Sequence, residues 1–197
     1  GVPRAITRPV REAASRATGI PWENIAVGAT HSHTGPLFSG VLRKHFNDSN
    51  TAAPADPYPT QLKDALVSVL IKADAHARPA RLSAGFAEEP RLSFNRRFHM
   101  KNGEVRFNPG AFNPDIVKVA GPIDPDVGMI AVRPVGEDKL SAVLAVFAMH
   151  LDTVGGTEYS ADYPYFLERE LRKAFHPDVI SLFGAGTCGD INHVDVT

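Results

Sequence analysis

The sequence is poor in cysteine: of 197 residues, only Cys188 carries a thiol. No disulfide can close within the chain, so its stability rests on packing. An excess of either charge is also missing, with 21 Lys and Arg against 22 Asp and Glu and a formal net charge of −1. That balance argues against a nucleic-acid binder and against a polybasic membrane-surface module. Long apolar runs are lacking too. The longest clean one, Ala142 to Met149, falls far short of the ~20 residues that cross a bilayer as a helix. There is no internal repeat and no low-complexity tract. What remains is the composition of a globular chain, 43% hydrophobic and 22% charged, which excludes a disordered segment.

Periodicity then divides the chain. Ile6, Val10, Ala13, Ala14 and Ala17 predict a helix over 5–17, with Gly19 as its stop. Pro9 weakens the first turn and offers a later start. The apolar run 24–29 has the length of a strand. Residues 47–60 are rich in Asn, Asp, Ser, Ala and Pro and read as an exposed loop. Leu62, Ala65, Leu66, Val69, Leu70 and Ala73 form a core-facing helical stripe, ended by Pro79. A strand is expected over 81–87. Asn102-Gly103, between 98–100 and 105–107, is a hairpin signal that asks for positive φ at both residues. A Pro/Gly/Asp-rich loop follows over 108–126. Strands at 128–133 and 140–149, split by Gly136-Glu137-Asp138, predict a second hairpin. Tyr163, Phe166, Leu167, Leu171, Ala174 and Phe175 form the stripe of a last helix over 163–175, with Asp162 as its N-cap. A buried strand at 179–183 leads into Gly184-Ala185-Gly186-Thr187-Cys188-Gly189-Asp190. Helices alternating with strands predict an α/β fold: a mixed sheet with parallel βα units and hairpins, and helices packed on it. The chain opens inside a helix and closes just past a glycine-rich loop, so residues 1–197 are expected to be one partial domain.

Three loops share a position. His31 and His33, His150, and the glycine-rich run each follow an expected strand, where open α/β sheets build their sites. In extended backbone, His31 and His33 would point to the same side. Neutral imidazole is the commonest metal ligand. Beside the metal reading, His31 and His33 alone read as hydrogen-bonded loop histidines and His150 alone as a strand-end histidine satisfied by backbone; together, at matching strand ends, they point to a metal. Arg96 offers a rigid fork of donors for an oxygen-rich substrate, beside the plain reading of a solvated arginine. The glycine-rich run lacks the Lys-Ser/Thr of a phosphate-binding loop. Cys188 reads as a small buried filler, with a nucleophile as the alternative. His193 lies near it in sequence, without further support as its partner. His45, His76, His99 and His176 have surface or packing readings.

Ala29-Thr30-His31-Ser32-His33-Thr34-Gly35-Pro36 resembles the ATHTHSGP signature of the neutral/alkaline non-lysosomal ceramidases. Further segments agree in order. Asn95-Arg96-Arg97-Phe98 with Asn108-Pro109-Gly110 resembles the middle block, closest to bacterial ceramidase-like proteins. Ile123-Asp124-Pro125-Asp126-Val127-Gly128 and Phe147-Ala148-Met149-His150 follow. Ser160-Ala161-Asp162-Tyr163-Pro164 and Cys188-Gly189-Asp190-Ile191-Asn192 complete the series. Asp152 to Gly156 departs from the family's longer loop, and the Gly-Thr-Cys-Gly-Asp run lacks a serine that a ceramidase shows there.

The resemblance implies part of a catalytic domain of a zinc-dependent amidase that splits an N-acyl sphingoid lipid into a sphingoid base and a fatty acid. It implies Zn2+ as cofactor with His31 and His150 as ligands. It implies His33 as a catalytic, substrate-contacting residue and Arg96 as a catalytic residue that holds the polar head of the substrate. The remaining ligands, a glutamate and a tyrosine, are expected downstream of this segment. A secreted or periplasmic protein, a lipid or small-molecule substrate and peripheral contact with a membrane fit the same resemblance, with Leu37 and Phe38 expected in an apolar entrance. Two other readings stand beside it: a zinc hydrolase of a non-lipid amide or ester on the same fold, and a degenerate, non-catalytic binding module.

Overall fold

Ile6, Val10 and Ala14, one every fourth residue, are the buried side chains of helix α1 (Arg4–Thr18). This is the spacing that lays one stripe against a neighbour. The computed structural model describes residues 1–36 and 57–196. Leu37, Phe38 and His45, and the loop expected over 47–60 as far as residue 56, lie outside the described residues. The chain divides into two units, Gly1–Ala29 with Pro36–Arg78, and Thr30–Gly35 with Pro79–Thr197.

In the first unit α1 begins at Arg4, ahead of Pro9, and ends where Gly19 takes φ 77° and donates its N–H to Ser15. A cap in left-handed backbone is where glycine has no steric penalty. A short 3-10 turn follows at Trp22–Asn24. Arg11 holds it to α1, stacking over the Trp22 ring at 4.6 Å and donating from Nε to the Trp22 carbonyl. Residues 24–29 do not form the expected strand. Ile25 is buried and extended, at φ −102° and ψ 114°, but the run has no ladder among the described residues. An apolar run reports burial, not pairing. Helix α2 (Tyr58–Ala75) packs against α1. Its stripe is only half covered among the described residues: Leu62, Leu66 and Leu70 are half-buried, while Ala65, Val69 and Ala73 are exposed.

The second unit holds a four-stranded sheet ordered β1 (Ala80–Glu88), β6 (Asp126–Pro134), β7 (Ala142–Phe147) and β8 (Ile180–Ala185). The first two pairings are antiparallel, and β7 and β8 run parallel. A parallel pair needs a crossover, supplied by helix α3 (Tyr163–Ala174), which packs on β8. The expected mixed sheet is therefore present. Its core is Leu140, Val143 and Val179, with Ala131 and Leu171 packed against them. In β7, Val143, Ala145 and Phe147 are buried at alternate positions, the period of a strand with one face on the core. On α3 the expected stripe is again partial, with Phe166 and Phe175 exposed.

A second sheet has the order β4 (Val105–Phe107), β3 (Arg97–Met100), β5 (Ile116–Val119). The hairpin between β3 and β4 is as expected, but its turn is not. Only Gly103 takes positive φ, at 85°, and its N–H donates to Met100. The loop is therefore three residues long, with glycine at the left-handed position. Strand β5 lies inside the stretch expected to be loop. A lone four-residue run among Pro, Gly and Asp has no periodicity of its own, and its pairing with β3 decides the matter. A last pairing joins β2 (Phe94–Asn95) to β9 (Ile191–Asn192). It ties the segment carrying Arg96 to the loop after β8.

Candidate metal centre

The parallel ends of β7 and β8 build the site. Past Phe147 the chain stays buried through Ala148, Met149, His150 and Leu151. The loop after β8 crosses this segment at Gly186, whose N–H donates to Phe147. A Cβ on Gly186 would lie 3.1 Å from the N, Cα and Cβ of Ala148, so this glycine serves a close backbone approach. The crossing brings the Cys188 carbonyl 2.9 Å from His150 Nδ1. A carbonyl only accepts, so Nδ1 carries the hydrogen and Nε2 keeps its lone pair. This is the arrangement by which a backbone oxygen orients a ligating histidine. His150 is 5% exposed, so the ring is held in a buried position.

The other two imidazoles come from residues 30–35 of the same unit. The His33 N–H donates to the Leu151 carbonyl, which pins this loop beside His150. His31 sits at φ 67°, in the left-handed region where histidine is among the few tolerated side chains. The backbone is thus not the extended one the i, i+2 spacing suggests, yet both rings face the same point. His33 Nε2 lies 3.0 Å from His150 Nε2 and 3.4 Å from His31 Nε2. One ligating nitrogen from each of the three lies within 4.8 Å of the others. Burial, then the neighbouring His150 and His33, pushes the His31 pKa down, which favours the neutral, ligating form.

Three imidazole nitrogens suit zinc, copper, iron or nickel, and do not suit calcium or magnesium. Tetrahedral zinc with Zn–N bonds of about 2.0–2.1 Å sets its ligand nitrogens about 3.3–3.4 Å apart. The observed 3.4 and 3.0 Å match one such edge and fall slightly short of another, and the third pair, His31 and His150, lies within 4.8 Å. The residues present therefore fit a cation of this kind. His33 was expected to contact substrate; the structure also places it among the converging nitrogens.

Arg96 closes one side. Its N–H donates to the Asp190 carbonyl and its Nη2 to the Gly189 carbonyl, at 2.8 Å each. The guanidinium stacks over Phe107 at 4.3 Å and touches the edge of His150, Nη2 to Nδ1, at 3.3 Å. Its Nε is buried and has no partner among the described residues. Next to it, Arg97 clamps Asp190 through Nη2 at 2.6 Å and Nε at 2.9 Å, and Asn95 adds a third bond at 3.1 Å. Burial alone would raise the Asp190 pKa, but the Asn95 and Arg97 bonds outweigh it and hold the carboxyl below its usual range. Gly121 leaves room for this network, since a Cβ there would meet Asn95 Nδ2 at 2.9 Å.

Cys188 is 8% exposed, and burial pushes its thiol pKa up, so it is the packed filler expected and no ready nucleophile. What sequence reasoning missed is its carbonyl, which no side-chain pattern can signal. His193 does not pair with Cys188. Its Nδ1 lies 3.0 Å from Asp152 Oδ1. Asp162 caps α3 as expected, accepting from the Tyr163 N–H, but it is wholly buried and sits at φ 59° and ψ −155°. That region is essentially reserved for glycine and costs a side chain about 1–3 kcal/mol.

No protein-family model matches the chain, and no curated protein does. Solved structures do. A structure described as "Ceramidase complexed with C2" superposes with a TM-score of 0.61 at 19% identity, over 96% of this chain and 29% of that one. Neutral ceramidase from Pseudomonas aeruginosa gives 0.61 at 20% identity, over 98% of this chain and 30% of that one. The chain spans about three tenths of the length of these proteins. No described helix is long and apolar enough to cross a membrane. Over nearly its whole length, the chain has a ceramidase-like fold.

Proposed function

We propose that the protein of which this chain is a part is a zinc-dependent amide hydrolase acting on an N-acyl sphingoid lipid. The observation that carries the reading is the convergence of three imidazole nitrogens in a ceramidase-like fold. His31 and His150 are the proposed ligands. When bound, the ion supplies a Lewis acid and lowers the pKa of its water to near 7.

The chain's own residues do the rest. The Cys188 carbonyl keeps the His150 tautomer that presents Nε2 inward. His33 sits beside both ligands and contacts substrate at the reacting centre, where an imidazole can take a proton and return it to the leaving amine. The Arg96 guanidinium, anchored by Gly189 and Phe107, holds the polar head through donors its anchors do not use. The short His33–His150 distance favours a second role, His33 as a third ligand. Zinc content of His33→Ala separates the two: full content assigns it to substrate, lost content to the metal.

The test of the activity is fatty-acid release from a panel of N-acyl substrates by the full-length protein. Release from a ceramide, abolished in His150→Ala, supports the proposal. Release only from non-lipid amides or esters moves the substrate class, and no release from any member with zinc bound rejects catalysis.

A further inference from the structure

The structure assigns Asp162 as a positioning residue that clamps the two histidine-bearing segments together; this rests on the metal reading above. An N-cap needs only one acceptor, which Ser or Asn supplies as well as Asp. Asp162 uses three. Its Oδ1 accepts from the Tyr163 N–H at 2.7 Å and from Thr153 Oγ1 at 2.5 Å. Its Oδ2 accepts from the Val154 N–H at 3.0 Å. Two of these three bonds run backwards, away from the helix, to the segment just after His150.

The other arm runs through Ser160. The Asp162 N–H donates to Ser160 Oγ at 2.9 Å. The Ser160 carbonyl accepts from Ser32 Oγ at 3.0 Å and Thr34 Oγ1 at 3.2 Å, and its N–H donates to the Thr34 carbonyl at 3.2 Å. Ser32 lies between the two loop histidines, and the Thr34 N–H returns to its Oγ at 3.3 Å. A chain of hydrogen bonds therefore links Val154 to Asp162, to Ser160 and to the residues flanking His33. Next door, the Tyr163 hydroxyl donates to the Met149 carbonyl at 3.0 Å. Burial first, then Cys188 and Asp162, raise the Tyr163 pKa, so this donor keeps its proton. A buried carboxylate in glycine-like backbone has no use to a simple cap. It has one where imidazoles 117 positions apart, His33 and His150, must meet at 3.0 Å.

Asp162→Asn tests this in the full-length protein. The amide keeps the volume, but either orientation turns its NH2 against a backbone N–H, that of Val154 or of Tyr163. Hydrogen exchange is read first, on zinc-free protein. Amides from His31 to Gly35 and from Leu151 to Val154 are expected to exchange at least about ten-fold faster in the variant. Zinc affinity, by chelator competition at a temperature where the variant is folded, is expected to fall about ten-fold or more, the range for outer-shell changes at metal sites. Exchange faster only in the first turn of α3, with zinc affinity within two-fold, would reduce Asp162 to a helix cap and overturn the assignment. If the unsubstituted protein takes up no zinc, the metal reading fails, and the exchange measurement still decides the clamp. If Asp162→Asn does not fold, Thr153→Val removes one strand of the clamp. At least three-fold faster exchange at His31 to Gly35 then supports the assignment, and unchanged exchange overturns it.

Discussion

Gly186→Ala should distort the site from a position that touches none of its histidines. The new Cβ would lie 3.1 Å from three atoms of Ala148, inside ordinary van der Waals contact. Two of those atoms are backbone, so no rotamer change relieves the clash. The loop must shift by a few tenths of an ångström, and it carries the Cys188 carbonyl that fixes His150. Overpacking of this kind costs about 1–3 kcal/mol. For a chain of this size each kcal/mol lowers Tm by about 2–4 °C. Urea unfolding should show a lower midpoint with unchanged m, and zinc affinity of the folded variant should drop as well. Gly155→Ala is the control. Nothing lies within 4 Å of a Cβ there and its φ is not positive, so its effect should stay within about 0.5 kcal/mol. If the two variants unfold at the same urea concentration and bind zinc alike, the crossing at Gly186 does not position His150.

Two further outcomes follow from the groups around the centre. The Asp190 carboxyl is held below its usual range in the folded state, so its contribution is present above the unfolded aspartate pKa of about 3.9. It fades as pH falls through the lower folded value. Asp190→Asn should therefore lower stability near pH 7 and flatten the acid limb of a stability–pH curve; an identical acid limb in both proteins would contradict the Arg97–Asp190 clamp. Burial raises the Cys188 thiol pKa, so iodoacetamide should leave the native protein unmodified at pH 7.5 and alkylate it on unfolding. Rapid native alkylation, or loss of activity in Cys188→Ala, would restore the nucleophile the structure argues against.

The elements with strong periodicity were legible. The stripe of Ile6, Val10 and Ala14 and the alternation in β7 are packing signals written in the side chains. Strand β5 was not, because four residues carry no period and only pairing with β3 makes them a strand. Residues 24–29 erred the other way: an apolar run reports burial without naming a ladder. At the site, His31, His33, His150 and Arg96 were all named from sequence, and the structure brings them together. The reason they meet was hidden. Backbone atoms hold them, the carbonyls of Cys188, Leu151 and Ser160, and a carbonyl looks the same in every residue. Asp162 was visible only as a cap, since the second oxygen of a carboxylate leaves no trace in the order of residues.

Whether these histidines hold zinc is decided by the zinc content of the full-length protein compared with His31→Ala and His150→Ala. Near-stoichiometric zinc is expected in the unsubstituted protein, with most of it lost in each variant while both stay folded. Full zinc in both variants, or none in the unsubstituted protein, would contradict the metal reading.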